Sequence, residues 1–193
     1  STNAVLLASS ANVYGNRING AIDETVAPDP INDYAVSKLA MEFVARLYRE
    51  RLPIIIARPF NYTGVGQAIT FVIPKIIDQV RRGATRIELG NLDVARDFSD
   101  VRDVVIAYAA MLNDPAAIGQ VFNICSGKAQ TLREIIAMIK ELSRHDFDVA
   151  VNPAFVRTNE VKQLWGSRSK LENLTGQQPT HHLKDTLAWM LKG

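Results

Sequence analysis

The sequence predicts an α/β protein, the second half of a doubly wound parallel sheet carrying a small α/β lobe. Three observations predict it. The runs Ala4-Val5-Leu6-Leu7-Ala8 and Pro53-Ile54-Ile55-Ile56-Ala57 are continuously apolar, as strands buried on both faces require. Segments of helical periodicity alternate with such runs along the chain. No G-x-G-x-x-G turn occurs in the 193 residues, the nearest stretch being Asn61-Tyr62-Thr63-Gly64-Val65-Gly66. A doubly wound sheet opens on such a turn, so its glycine-rich first half is expected to be absent.

The elements are expected in this order. The opening strand runs into Ser9-Ser10 and a Gly/Asn/Pro-rich loop. A helix follows over 34–51, with Val36, Leu39, Met41, Phe43, Val44, Leu47 and Tyr48 forming a broad apolar face. The second strand ends at Pro59. A helix over 71–82 is stopped by Gly83, and a short strand covers 87–89. Ser99 is the expected N-cap of a helix over 100–112, closed by Asp114-Pro115. A strand over 120–125 leads to a helix over 131–145, opened by the capping box Thr131/Glu134. A strand over 147–151 comes next. Ser169 and Glu172 form a second capping box on a short helix closed by Gly176, and a last helix spans 182–192. The main body is expected to comprise 1–61, 96–125 and 181–193, and the lobe 62–95 and 126–180.

Composition narrows the function. Apolar residues make up 47% and charged residues 22%, which suits a globular core. Twenty-two basic against 20 acidic residues give a formal charge of +2, with no electrostatic case for nucleic acid or a membrane surface. The longest apolar run, over 104–112, is too short to span a bilayer. The single cysteine, Cys125, excludes an internal disulfide, reads as a small buried hydrophobe and fits a reducing cytoplasm. His145, His181 and His182 lack metal-ligand spacing. Trp165 and Trp189 read as packing residues.

Chemistry concentrates near the start. Tyr34 and Lys38 stand at i, i+4, side by side on one helix face. A phenol titrates near 10 and is a poor acid–base group at neutral pH, but an adjacent ammonium stabilises the phenolate. The pair is then a tuned proton donor and acceptor. Ser10 precedes Tyr34 by 24 residues and follows a buried strand, at the end where ligands collect. Its hydroxyl could donate to a substrate carbonyl oxygen while Tyr34 protonates that oxygen.

Ser9-Ser10-Ala11-Asn12-Val13-Tyr14-Gly15, Asp33-Tyr34-Ala35-Val36-Ser37-Lys38 and Arg58-Pro59-Phe60-Asn61 resemble the extended short-chain dehydrogenase/reductases. That resemblance implies a Rossmann-type fold and gives Ser10, Tyr34 and Lys38 the roles of the catalytic triad. It implies NADP or NAD as cofactor, with Lys38 also holding its ribose and Ala8, Ser9, Phe60 and Tyr62 beside it. Phe71-Val72-Ile73-Pro74, the stretch Gly90-Asn91-Leu92-Asp93-Val94-Ala95-Arg96-Asp97-Phe98 and Asn123-Ile124-Cys125-Ser126-Gly127 narrow it to the GDP-6-deoxymannose reductases and related GDP-mannose dehydratases. So does the stretch Val156-Arg157-Thr158-Asn159-Glu160-Val161. The implied partner is a GDP-linked sugar. Arg96 and Arg157 would grip its diphosphate, as the planar guanidinium fork suits phosphate oxygens. Glu160 would accept from a nucleotide hydroxyl or base amine, Val72 and Lys75 would line the nucleotide pocket, and Asn61 would lie beside the sugar. The bland alternative for Arg96 is a surface ion pair with Asp93 and Asp97. Thr158 stands where the family leads one to expect proline, and Ser167 where relatives often carry aspartate.

In the dehydratases that this chain resembles, carboxylates directly follow the catalytic hydroxyl residue, whereas here Ala11 and Asn12 do. Neither transfers protons, which favours a 4-keto reductase. A 4-epimerase with bound NAD uses the same triad and stays open, as does an inactive nucleotide-sugar-binding module. The resemblance also implies a homodimer packed through the helix bearing the tyrosine. The chain alone is expected not to turn over.

Overall fold

The structure, a computed structural model, describes residues 3–16, 20–156, 163–176 and 178–193. Among the described residues ten strands, numbered like the six α-helices in chain order, form three sheets. The first sheet contains β1 (Val5–Ala8), β3 (Ile54–Pro59) and β7 (Val121–Ile124), all parallel and in the order β1-β3-β7. Ile54 and Ile56 face α1 (Asp33–Tyr48) and pack with its Ala45. Ile55 and Ala57, alternating with them, face α3 (Val101–Asn113) and pack with Val104, Ala107 and Met111. Helices on both faces explain why β3 reads as an unbroken apolar run. The doubly wound α/β character expected from the sequence is present.

The second sheet runs β2 (Ala21–Ile22), β10 (Gln163–Gly166), β6 (Ala95–Asp100) and β4 (Asn61–Thr63), all parallel, with β8 (Ala129–Thr131) antiparallel to β6. It therefore draws β2 and β6 from segments that the sequence assigns to the main body. The third pairs β5 (Arg86–Leu89) with β9 (Asp148–Val151). Around it α2 (Val72–Arg81), α4 (Leu132–Ser143) and α6 (Leu183–Lys192) bury a largely aliphatic cluster that includes Ile73, Ile76, Ile135, Ile139 and Leu187. The Thr131/Glu134 capping box forms as expected, with Glu134 N donating to Thr131 Oγ1 (3.1 Å) and Thr131 N to Glu134 Oε2 (2.6 Å). Gly83 and Gly176 follow α2 and α5 (Ser169–Thr175) with positive φ.

Two caps differ from expectation. Asp100, not Ser99, caps α3: its carboxylate accepts from Arg102 N at 2.8 Å and from Thr186 Oγ1 at 2.6 Å. Ser99 still belongs to β6, and its buried Oγ has no partner. The Ser169/Glu172 capping box does not form, because Arg168 takes Glu172 (2.5 Å) and Ser169 N reaches Ser167 Oγ (3.4 Å). A third difference concerns α1. Its broad apolar row is turned outward, with Phe43 at 55% and Leu47 at 79% exposure. The buried side is Ala35, Glu42 and Ala45, small residues that bring the helix close to the sheet around one charge.

Candidate active site

The parallel register aligns the carboxyl ends of the first sheet, pairing Ala8 with Ala57 and Pro59 with Ile124. Ser9 N continues the ladder to Ala57 O (2.7 Å) and Phe60 N to Ile124 O (2.9 Å). Ser9-Ser10, Phe60-Asn61-Tyr62 and Cys125-Ser126 thus leave the sheet at one edge, the side where parallel α/β sheets hold ligands. Ser10 caps a single 3-10 turn over Ala11–Tyr14 and accepts from Asn12 N at 3.2 Å. That bond occupies an acceptor site and leaves the hydroxyl proton free to be donated. Gly15 closes the turn at φ +70, and a Cβ there would lie 2.0 Å from Asp29 O, so glycine keeps the turn's shape.

Across from this turn stands the amino-terminal end of α1. Asn32 caps the helix by accepting from Ala35 N at 2.9 Å. Tyr34, in its first turn, is 52% exposed. Lys38 lies one turn on, its Nζ 5.8 Å from the Tyr34 ring centroid. The same Nζ donates to Ala8 O at 2.9 Å, fixing the ammonium between strand end and phenol. Phenol and ammonium therefore stand at the sheet's carboxyl edge, beside the end of the strand that runs on into Ser9 and the 6% exposed Ser10.

The other residues singled out by the sequence divide. Asn61 and Tyr62 are exposed beside this edge, whereas Phe60 is 4% exposed and packs on Tyr14, ring centroids 6.4 Å apart. The Ser9 hydroxyl points inward and donates to Glu42 Oε1 at 2.5 Å. Val72 and Lys75 lie half-buried on α2, and Lys75 Nζ is 4.2 Å from the Phe155 ring centroid. Arg96 is half-buried on β6, with Nη1 donating to Ala95 O at 2.9 Å. Its sequence neighbours are engaged elsewhere. Asp93 pairs with Arg133 (3.0 Å), and buried Asp97 accepts from Ser126 N, Gly127 N and Gly166 N. Burial pushes the Asp97 carboxyl up, against these hydrogen bonds. Arg157 and Glu160 lie outside the described residues. Cys125 is buried, and its desolvated thiol is pushed well up, making it inert.

Sequence reasoning missed a buried polar network beneath the site. Glu42 is fully buried, and its two carboxylate oxygens accept from Arg58 Nε (2.9 Å) and Nη2 (2.6 Å). The Arg58 guanidinium carbon stands 4.8 Å from the Tyr14 ring centroid. Tyr14 Oη donates to Asn123 Oδ1 at 2.7 Å, and Asn123 Nδ2 donates to Ile22 O at 2.9 Å. Burial pushes the Tyr14 phenol up to about 12, so it remains a donor. Tyr108 on α3 was missed too; burial and the neighbouring Tyr62 and Tyr34 phenols push it to about 12. The available signal was Arg58 in the otherwise apolar, fully buried strand β3, where an unpaired charge is not tolerated.

The family model described as GDP-mannose 4,6 dehydratase matches residues 2–190. The chain belongs to this family. The expected resemblance to the extended short-chain dehydrogenase/reductases holds. The GDP-6-deoxy-D-mannose reductase of Pseudomonas aeruginosa is 38% identical over 195 residues, covering 96% of this chain and 64% of that protein. Among solved structures, the RMD protein of Pseudomonas aeruginosa complexed with NADPH superimposes with a TM-score of 0.91 at 35% identity, over 99% of this chain and 66% of that one. A provisionally assigned epimerase of Burkholderia cenocepacia gives a TM-score of 0.94 at 56% identity, over 98% of this chain and 62% of that one. The chain thus spans just under two thirds of the length of these family members. Among the described residues no helix is long and apolar enough to cross a membrane, and no cluster of His, Cys, Asp and Glu could hold a metal ion.

Proposed function

We propose that the protein to which this chain belongs reduces the 4-keto group of a GDP-4-keto-6-deoxyhexose with NADPH or NADH. What supports the reading is exposed Tyr34 beside Lys38, whose ammonium is bonded to the end of the strand that leads into Ser10, with no carboxylate at the two positions after Ser10. The edge suits the nicotinamide end of the cofactor: Lys38 has donors left after its bond to Ala8 O, and Asn61 and Tyr62 are exposed beside it. A bound nicotinamide supplies the hydride. Ser10 donates to the substrate carbonyl oxygen and polarises it. Tyr34 delivers a proton to that oxygen, which becomes a hydroxyl. Lys38, held by Ala8 O, stabilises the phenolate left on Tyr34. Ala11 is buried and Asn12 carries an amide, so no group there removes the sugar proton that a dehydratase must take.

Arg96, Arg157 and Glu160 are assigned to the diphosphate and nucleotide, Val72 and Lys75 to the nucleotide pocket wall. The outward apolar row of α1, including Phe43, Val44 and Leu47, supports a homodimer packed through that helix. The 56% identity to the provisionally assigned epimerase favours one other reading, nucleotide-sugar 4-epimerisation. Product stoichiometry separates the two. With GDP-4-keto-6-deoxymannose and NADPH, the protein at its native length is expected to consume one NADPH per 4-hydroxyl formed. With a GDP-hexose that carries a 4-hydroxyl, and no added NADPH, inversion at C4 without net cofactor consumption would establish the epimerase instead.

A further inference from the structure

Glu42 stands apart from everything the proposed chemistry uses, yet it is built into the same helix ridge. Tyr34, Lys38 and Glu42 are spaced i, i+4, i+8, so they share one side of α1. The ridge meets consecutive residues of the segment that carries Ser10. Lys38 Nζ reaches Ala8 O at 2.9 Å and Glu42 Oε1 takes the Ser9 hydroxyl at 2.5 Å. The same carboxylate holds Arg58 in two-point fashion, and Arg58 lies in β3 just before the Phe60–Tyr62 exit. Ser9 and Arg58 are each 2% exposed and Glu42 is 0%.

A buried ion pair is a poor device for stability alone, because its desolvation cost offsets its attraction and apolar replacements often serve as well. It is a good device for direction, since hydrogen bonds to a carboxylate are short and geometrically exacting. Direction is what α1 otherwise lacks. Its fully buried apolar residues, Ala35 and Ala45, are small; Leu39 is half-buried against the cluster that includes Val13, Tyr14 and Phe60, and Val36, Phe43, Val44 and Leu47 face outward. Apolar contacts of this kind set an axial position less sharply than hydrogen bonds do. We propose that Glu42 is a positioning residue: through Ser9 and Arg58 it sets α1 axially against the ends of β1 and β3, and thereby sets Tyr34 and Lys38 relative to Ser10. This rests on the reading of Ser10, Tyr34 and Lys38 as the reacting group.

The test uses the protein at its native length, with GDP-4-keto-6-deoxymannose and NADPH deuterated at the transferred hydrogen. Glu42→Gln breaks the ion pair and endangers folding, so Ser9→Ala is the companion: it removes one link and leaves Glu42 and Arg58 paired. Ser9→Ala is expected to fold with a modestly lower melting temperature and to keep both KM values within about twofold, while kcat falls about tenfold and the isotope effect rises. Misplacement slows the hydride step itself, which a merely structural contact would not do. Where Glu42→Gln folds, its kcat falls further. Wild-type kcat and isotope effect in Ser9→Ala would overturn the positioning role. Tyr34→Phe, measured alongside, checks the underlying reading separately. If it turns over normally, the triad assignment fails, and with it the positioning role, whatever Ser9→Ala does.

Discussion

The carboxyl edge of the first sheet and the cluster beneath α2, α4 and α6 are held together by opposite means. Near Ser10 and along the helix that bears Tyr34 the chain buries Glu42, Arg58, Tyr14 and Asn123, each hydrogen-bonded to another member of the network. Around β5 and β9 it buries Ile73, Ile76, Ile87, Ile135, Ile139 and Leu187, whose contacts have no direction. Polar networks specify one arrangement and penalise its neighbours, whereas aliphatic packing tolerates small shifts. The region proposed to place the reacting groups uses the first; the region that encloses an aliphatic core uses the second.

Breaking the comparison at its strongest point means removing one partner of the buried pair. Glu42→Ala leaves the Arg58 charge uncompensated and is expected to lower stability by about 3–5 kcal/mol, read by denaturant titration. The aliphatic counterpart, Ile139→Ala, is expected to cost about 2–5 kcal/mol by opening a cavity. The sharper contrast is in repair. Replacing Glu42 and Arg58 together by apolar residues should restore stability but not turnover, whereas Ile139→Val should restore both.

A smaller effect concerns the segment leading into α6. Asp103, in the first turn of α3, accepts from His181 N (3.0 Å), His181 Nδ1 (2.8 Å) and Thr180 Oγ1 (2.7 Å). Burial pushes its carboxyl up, but these hydrogen bonds outweigh burial and hold it below the usual carboxylate range. A depressed carboxyl contributes stability that is present above its unfolded value near ~4 and lost as pH falls through the folded one. The melting temperature is therefore expected to drop below about pH 4, and Asp103→Asn should flatten that drop. The smallest expected effect is at a local cap. Thr131→Ala removes the capping box of α4 and should cost about 1 kcal/mol with turnover unchanged.

What the sequence made legible was mostly local. Tyr34 and Lys38 are neighbours by helix geometry, and Thr131 with Glu134 needs only one turn, so both could be read directly. The buried strands β1 and β3 were legible from their unbroken apolar runs. Strand β6 was not legible as a strand, because its buried positions include Asp97 and Ser99 and no apolar alternation marks it. The orientation of α1 was misleading for a related reason: the apolar row faces outward, and the buried side is marked by alanines and one glutamate. Glu42 and Arg58 are 16 residues apart and meet only once the helix lies on the sheet. Asp100 displaced Ser99 as a cap because it serves Arg102 and Thr186 together, and Thr186 lies 86 residues away.

The central claim is that the hydroxyl, phenol and ammonium at the sheet edge perform proton transfer during ketone reduction. Tyr34→Phe tests it most directly, in the protein at native length, by following NADPH oxidation with GDP-4-keto-6-deoxymannose. The account predicts a kcat lower by about 100-fold or more with KM for the nucleotide sugar little changed, since the ring stays and only the proton donor goes. A kcat within about twofold of wild type would contradict it, because general-acid catalysis of this kind contributes at least 10²-fold.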